Sequence, residues 1–331
     1  MDLSISQQIT VAWRALSAID DPEGWVSIDL YKYNNWSILV SYNSLNREQA
    51  IIFKIKNDNA NSSLPMAQGF KVLPLKGELG PGFVVVRQNE GDIELFTKMV
   101  TDICHTVIQH QTLCESKLAS VFINRINAWL SFMDGDRRPL SPEAELGLVG
   151  ELEILYRLLS LNIPTPEVIA SWKGPLGGIK DFEFRNGAVE TKSTISRAGM
   201  IVKIGSLEQL DISKVSPLFL NGNMFSISPE GQTLVDRVNL VATKLKSYPG
   251  ELAKFNNLLL RCGYLESDAE CYIRKFKVEK SLFWLVDENF PRLVPENIAV
   301  YINKAQYEIN LTPLMIDSVE MKIVVQRLGM A

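Results

Sequence analysis

The sequence predicts a mixed α/β (α+β) fold on three observations. Runs rich in β-branched and aromatic residues alternate with stretches of helical hydrophobic period. An Asn186-Gly187 pair lies between two such runs, the strongest short-range signal of a β-hairpin. The 331 residues are 46% hydrophobic and 22% charged, enough for one large or two modest domains with real cores.

The chain opens on a short helix. Strands follow at Trp36 to Tyr42, Ala50 to Lys56 and Phe83 to Gln88, separated by Asn, Gly and Pro turns. Asp92 is placed to cap a helix reaching about His110. A second helix, about Ser116 to Phe132, aligns Leu118, Val121, Phe122, Ile126, Trp129 and Leu130 on one face. The stretch Met133-Asp134-Gly135-Asp136-Arg137-Arg138-Pro139 is charged, marked by Gly and Pro, and without period, so it reads as a boundary. The expected division is an N-terminal accessory region (1–138), a core (139–226) and a C-terminal region of helices and strands (227–331).

The core begins with a helix from Ser141 to about Leu161, with Ser141 as cap, Pro142 at its first position and Asn162-Ile163-Pro164 as its stop. Strand-like runs come next at Glu167 to Trp172, Ile179 to Arg185, Ala188 to Thr194 and Met200 to Ile204. A short polar helix around Ser206 to Asp211 and a strand from Ser216 to Phe225 complete it. Beyond lie helices at Gln232 to Leu245 and Glu251 to Cys262, the latter stopped by Gly263. Strands around Tyr272 to Lys280, Leu282 to Val286 and Tyr301 to Leu311 close the chain.

Composition excludes several functions. No run approaches the roughly 18 apolar residues of a membrane helix, and Met1-Asp2-Leu3-Ser4 does not begin a secretory signal, so no membrane partner is expected. Cys104, Cys114, Cys262 and Cys271 are scattered, which suits reduced thiols in a cytoplasm. A net charge of −4 excludes a uniformly basic binder but leaves room for a local basic face. His105 and His110, the two histidines, are five apart and share no face, against a His-rich zinc site. No Gly-x-Ser-x-Gly elbow and no phosphate-binding Gly-x-x-x-x-Gly-Lys loop occurs; Gly77, Gly80 and Gly82 around Pro81 read as a turn. Any chemistry then rests on carboxylates and lysines.

One constellation supplies both. Glu190 and Lys192 are two apart on a strand and share a face, with Thr191 opposite. With Asn186-Gly187 as the turn, Asp181 lies on the adjacent strand beside them. Two carboxylates and a lysine on one face suit a Mg²⁺-dependent phosphodiesterase, because hard cations take carboxylate oxygens and complete their shell with water and phosphate. The spacing is a weak signal by itself. An exposed hairpin whose charges alternate with a core face of Phe182, Phe184, Val189 and Thr191 would produce it too.

Glu151 adds a third carboxylate. Leu148, Leu152, Leu155 and Leu159 form the apolar face of its helix, with Glu151 at the edge, while Glu143 and Glu153 point to solvent. A carboxylate against an apolar stripe is costly unless paired or metal-bound, and Gly147 and Gly150 would let another element approach. A side chain snorkelling from the face boundary would fit equally, and Glu145 sits on the stripe's other edge.

Helix with Glu, strand, strand with Asp, strand with Glu-x-Lys is the order of the PD-(D/E)XK nuclease core. The sequence resembles the bacterial family of PD-(D/E)XK-motif proteins often encoded beside restriction and phage-defence genes. The matching stretches are Gly147-Leu148-Val149-Gly150-Glu151-Leu152, Trp172-Lys173-Gly174-Pro175, Asp181-Phe182-Glu183-Phe184 and Val189-Glu190-Thr191-Lys192-Ser193. Ile204-Gly205-Ser206-Leu207-Glu208-Gln209-Leu210, Gly263-Tyr264 and Phe290-Pro291-Arg292-Leu293 continue the likeness, which runs from about residue 10 to 315.

The resemblance implies an αβββαβ core with a mixed central sheet, of restriction-endonuclease-like type. It implies one or two Mg²⁺ ions, with Mn²⁺ as a substitute, held by Asp181, Glu190 and the Thr191 carbonyl. Lys192 would act on the attacking water, Glu151 would be a further ligand or would position water, and Gln209 would stand near the scissile phosphate. Two positions depart from the pattern: Lys180 replaces the motif's proline, and Thr191 an apolar residue.

Local charge agrees. From Ser171 to Lys214 there are seven basic residues and five acidic ones, and two of the acids are candidate metal ligands. Arg274, Lys275, Lys277 and Lys280 would extend this face or simply be solvated. Trp172, Phe182 and Phe184 read as core, and the histidines and cysteines as structural.

The expected function is a cytoplasmic, Mg²⁺-dependent DNA endonuclease in restriction or phage defence. The alternative is a non-catalytic DNA-binding or scaffolding subunit of a multi-protein defence complex. DNA is the expected partner. A homodimer and a neighbouring ATPase or methyltransferase are expectations from the same resemblance. A third reading, of hairpin charges as surface decoration, requires Glu151, Asp181, Glu190 and Lys192 to be far apart and exposed.

Overall fold

The computed structural model describes residues 3–19, 25–56, 66–67, 69–75, 80–89, 91–133 and 139–330. Gly77, Met1-Asp2 and residues 134–138 of the expected boundary stretch lie outside them. The chain divides into two compact units, Met1–Asp136 and Arg137–Ala331. The expected core and C-terminal regions both fall in the second.

In the first unit, helix α1 (Ile5–Leu16) precedes strands β1 (Trp25–Tyr33), β2 (Trp36–Asn43), β3 (Glu48–Lys54), β4 (Met66–Ala67), β5 (Phe70–Leu75) and β6 (Gly82–Arg87). They form an antiparallel sheet in the order β1-β2-β3-β6-β5-β4. Helices α2 (Ile93–Gln109) and α3 (Glu115–Met133) follow. Asp92 caps α2 by accepting from the amides of Glu94 and Leu95. Asp102 joins the two helices, accepting from Arg125 and from the Trp129 indole at 2.6 Å. The sequence reading missed β1 and β5. Strand β1 is an edge strand with no regular buried stripe and a bulge between Asp29 and Tyr31, and β5 carries Pro74.

The second unit opens with α4 (Pro142–Leu158), whose cap Ser141 accepts from the Ala144 amide. Then come α5 (Thr165–Ser171), β7 (Phe182–Phe184), β8 (Gly187–Thr194), β9 (Ile201–Ile204) and β10 (Leu218–Gln232). The remaining elements are α6 (Leu234–Leu245), α7 (Pro249–Arg261), β11 (Phe276–Val286), β12 (Tyr307–Asn310) and α8 (Met321–Arg327). Gly263, in left-handed backbone, ends α7: the Tyr264 amide reaches back to the Leu259 carbonyl and the Gly263 amide to Leu260.

The central sheet runs β11-β10-β8-β7 and is mixed, because β10 lies parallel to β8 while the other pairs are antiparallel. One face carries a core that includes Leu148, Leu152 and Leu155 of α4, Val241 of α6, Phe255 of α7, Trp172 and Val189. The other face is covered by β9 and β12, around Ala188, Met200, Leu220, Trp284 and Ile309. Strand β8 is thus buried on both sides, as parallel neighbours generally are.

Several expectations are corrected here. Glu167 to Trp172 is mostly helix α5, not a strand; its β-branched Val168 and Ile169 are buried one after the other, a run whose period is ambiguous at this length. The two strands expected at Tyr272 to Lys280 and Leu282 to Val286 are one, β11, and the last strand is only β12. In the order αβββαβ, β9 pairs with β12 instead of joining the central sheet, and the second helix is a single 3₁₀ turn, Leu207–Leu210. Glu153 does not face solvent; it pairs with the buried Arg237 of α6. Glu145, on the same helix, is buried and takes Arg274 at 2.7 Å, which removes Arg274 from any free basic face.

Candidate active site

The site is built where the N-terminal end of β7 meets β8. The amides of Lys173 and Gly174 donate to the Asp181 carbonyl at 2.8 and 3.0 Å, fixing the backbone just before β7. Strands β7 and β8 form the expected hairpin, with Phe184 paired to Gly187, so the two turn residues are Arg185 and Asn186. The Thr191 amide then donates to Asp181 Oδ2 at 2.7 Å, which holds the carboxylate against β8. Glu190 and Lys192 project from the opposite side of β8 to Thr191 and Val189.

Glu190 is 0% exposed, and its Oε1 accepts from the Lys192 ammonium at 2.6 Å. Its Oε2 is buried with no partner in the protein. Lys192 itself is 17% exposed along its side chain, so it is half-buried and not a free surface lysine. Glu151 reaches in from α4, and the Trp172 indole donates to its Oε2 at 2.6 Å. That Oε2 and Asp181 Oδ1 face one small space: a Cβ on Gly174 would stand 2.9 Å from the first and 3.3 Å from the second. Glycine at 174 keeps this space open between two carboxylates.

The electrostatics follow from burial and crowding. Burial, and then the Asp181 charge, pushes the Glu190 carboxyl up to about 8 against the pull of Lys192. Glu151 moves up for the same two reasons, and Asp181 is raised by burial. Burial would lower Lys192, but the surrounding carboxylates, Glu190 first, outweigh it and hold the ammonium charged. Three carboxylates that resist ionisation together form a place where a cation is favoured.

The donor set fits a hard divalent ion. It consists of carboxylate oxygens: Glu190 Oε2 is buried and unpartnered, and Glu151 Oε2 and Asp181 Oδ1 border the space that a methyl on Gly174 would fill. Among the described residues the acidic groups do not close into a cage of three side chains. Mg²⁺ does not require one, since it is commonly bound through one or two carboxylates plus water and phosphate.

Gln209 is placed differently from the other candidates. Its Oε1 accepts from the Gly205 amide at 2.7 Å, so the side chain folds back on its own turn. Lys180 is the residue that sequence reasoning undervalued. It is buried, and its ammonium donates to the carbonyls of Glu208 at 2.5 Å, Gln209 at 2.7 Å and Asp211 at 3.3 Å. A lysine directly before Asp181 therefore ties the 3₁₀ turn to the start of β7 and takes the carbonyls a longer helix would have used. Trp172 was read as core; it is buried, and it also orients Glu151, because a buried indole N–H needs an acceptor.

Replacing Lys180 with methionine is expected to keep the volume but free these carbonyls. Amide exchange in residues 207–211 should rise, and the melting temperature should fall by roughly 3–10 °C, from a loss of about 1–3 kcal/mol. Unchanged exchange in that segment would show that the clamp does not hold it.

A mixed sheet with carboxylates and a lysine gathered at the start of an edge hairpin is consistent with an α/β protein of PD-(D/E)XK type. The model of the family described as "Putative PD-(D/E)XK family member, (DUF4420)" matches residues 9–312, and the chain belongs to that family. No curated protein and no solved structure matches the chain. Proteins of PD-(D/E)XK type are typically phosphodiesterases, and their nucleases generally use Mg²⁺.

Proposed function

We propose that the protein is a Mg²⁺-dependent deoxyribonuclease, an endonuclease that hydrolyses phosphodiester bonds, with restriction or phage defence in the cytoplasm as its setting. The observation that carries this reading is the convergence of Glu151, Asp181, Glu190 and Lys192 in a partly buried cluster whose carboxylates are all raised. Surface decoration would leave such side chains apart and exposed.

Asp181, Glu190 and the Thr191 carbonyl would hold the ion, with Glu151 beside them. When bound, Mg²⁺ supplies charge neutralisation at the phosphate and a more acidic water. Lys192 keeps its proton, so it serves as a hydrogen-bond donor and a fixed positive charge toward the attacking water and the developing phosphorane. It does not act as the base. Glu151, oriented by the Trp172 indole, would be a further ligand or would position the attacking water. Asp181, pinned by the Thr191 amide, sets the position against which the others are arranged.

The test is cleavage of phage and plasmid DNA, methylated and unmethylated, by the purified chain with Mg²⁺ or Mn²⁺ and with a chelator. Cleavage that depends on the metal is expected. DNA binding without cleavage under any of these conditions would replace this reading with that of a DNA-binding subunit working through a partner.

A further inference from the structure

The segment before β12 forms a closed loop whose neck meets the 3₁₀ turn that Lys180 holds beside Asp181. Its neck is fixed where the Leu293 amide donates to the Tyr307 hydroxyl at 3.0 Å, and Tyr307 pairs with Ile204 in the β12–β9 ladder. Arg292, at the same neck, donates to the Leu210 carbonyl at 3.0 Å. Leu210 ends the 3₁₀ turn that Lys180 holds beside Asp181. Inside the loop, the Asn297 side chain bridges the Val294 amide and the Arg292 carbonyl, and Val294 is buried. This is the construction of an Ω-loop, ordered by its own contacts.

The tip of this loop is unusual in composition. The Ile302 amide donates to the Ala299 carbonyl at 2.9 Å, closing a turn whose two corner residues are Val300 and Tyr301. Turn corners are ordinarily Gly, Asn, Asp, Pro or Ser, for backbone reasons and for solvation. Here they are an aliphatic and an aromatic residue, 91% and 95% exposed, flanked by exposed Asn303 and Lys304. No acidic residue lies between Asn297 and Tyr307. An aromatic ring held out on an ordered tip, with a lysine beside it, has the two elements of a nucleic-acid stacking platform: a π-face for a base and a cation for the backbone.

We propose that the Val300-Tyr301 turn contacts the substrate strand as it leaves the site, with the Tyr301 ring stacking on an unpaired base and Lys304 on the adjoining phosphate. This rests on the reading of the site as a DNA phosphodiesterase and deepens it: the preferred substrate carries single-stranded character next to the cleaved bond. The closed neck supports the assignment, since a tip already ordered loses little entropy on binding.

Fluorescence anisotropy in an Asp181→Asn background with Mg²⁺ tests it, using a single-stranded oligonucleotide, a duplex with an overhang and a blunt duplex. Tyr301→Ala is expected to weaken binding of the first two by about 5- to 100-fold and to leave the blunt duplex unchanged. Tyr301→Phe should bind like the parent, because the ring and not the hydroxyl makes the contact. Tyr301→Ala binding all three as tightly as the parent does, equal losses in the Phe and Ala variants, or a loss on the blunt duplex as large as on the other two would overturn the proposal. A parent chain that binds no DNA at all would instead overturn the reading of the site on which it rests.

Discussion

Replacing Lys192 with alanine is expected to slow metal-dependent DNA cleavage by about 100- to 10,000-fold while DNA binding persists. The ammonium carries the positive charge closest to the buried Glu190, and it remains protonated because the facing carboxylates favour its charged form. Its loss removes a preorganised donor at the point where charge develops. The variant also leaves Glu190 as an unpaired buried carboxylate. In the metal-free protein that group should then take up a proton, which limits the cost to folding. Single-turnover rates and melting curves with and without Mg²⁺ separate these effects. Cleavage within a few-fold of wild type would remove Lys192 from the chemistry.

Glu190→Gln is expected to abolish cleavage and, in the absence of metal, to raise stability. Glu190 ionises near 4.5 when unfolded, but burial and the Asp181 charge push it to about 8 in the folded chain. The folded state thus binds its proton more tightly, and this contribution to stability is full below about pH 4.5 and is lost as pH rises through about 8. At pH 8 and above, the shift corresponds to a cost on the order of 5 kcal/mol as an upper bound. Part of that remains in the variant, because Lys192 loses a charged partner. A gain of roughly 5–15 °C in melting temperature at pH 8, shrinking toward pH 5, is the expected result. Mg²⁺ should stabilise the wild type more than the variant. A variant that melts at or below the wild-type temperature at pH 8 would mean that Glu190 is adequately compensated as a carboxylate.

Much of this arrangement was legible in the sequence, and the residues show why. Helices α2 and α4 announced themselves through Asp92, Ser141 and Pro142, because caps act within a few residues of the backbone they satisfy. The β7–β8 hairpin was readable from Asn186-Gly187, although its turn falls one residue earlier, at Arg185-Asn186, with Gly187 already paired to Phe184; it brought Asp181 beside Glu190 and Lys192. Strand β9 was visible as a strand, but its partner β12 lies about 100 residues further on, and no local pattern encodes that pairing. Helix α5 was misread because Val168 and Ile169 suit a strand until α4 and α7 are packed around them. Lys180 and Trp172 were seen as a lysine and a tryptophan; their acceptors, on the 207–211 segment and on Glu151, are tertiary. Glu153 was assigned to solvent by its helical angle alone, and only α6 supplies Arg237 to cover it.

The two ion pairs of α4 have a consequence for its position. Glu145 is held by Arg274 and Glu153 by Arg237, and Glu151 lies between these anchor points. The anchors are separated by about 12 Å along the helix axis, so an advance of one residue, about 1.5 Å, would strain both together. The helix is therefore clamped like a vernier at two marks, with Glu151 held between them. Arg237 and Arg274, which touch none of the four clustered groups, become gauge blocks for the cleft. Changes at either would leave a largely buried carboxylate without its cation, so lost stability and lost alignment of Glu151 are expected together.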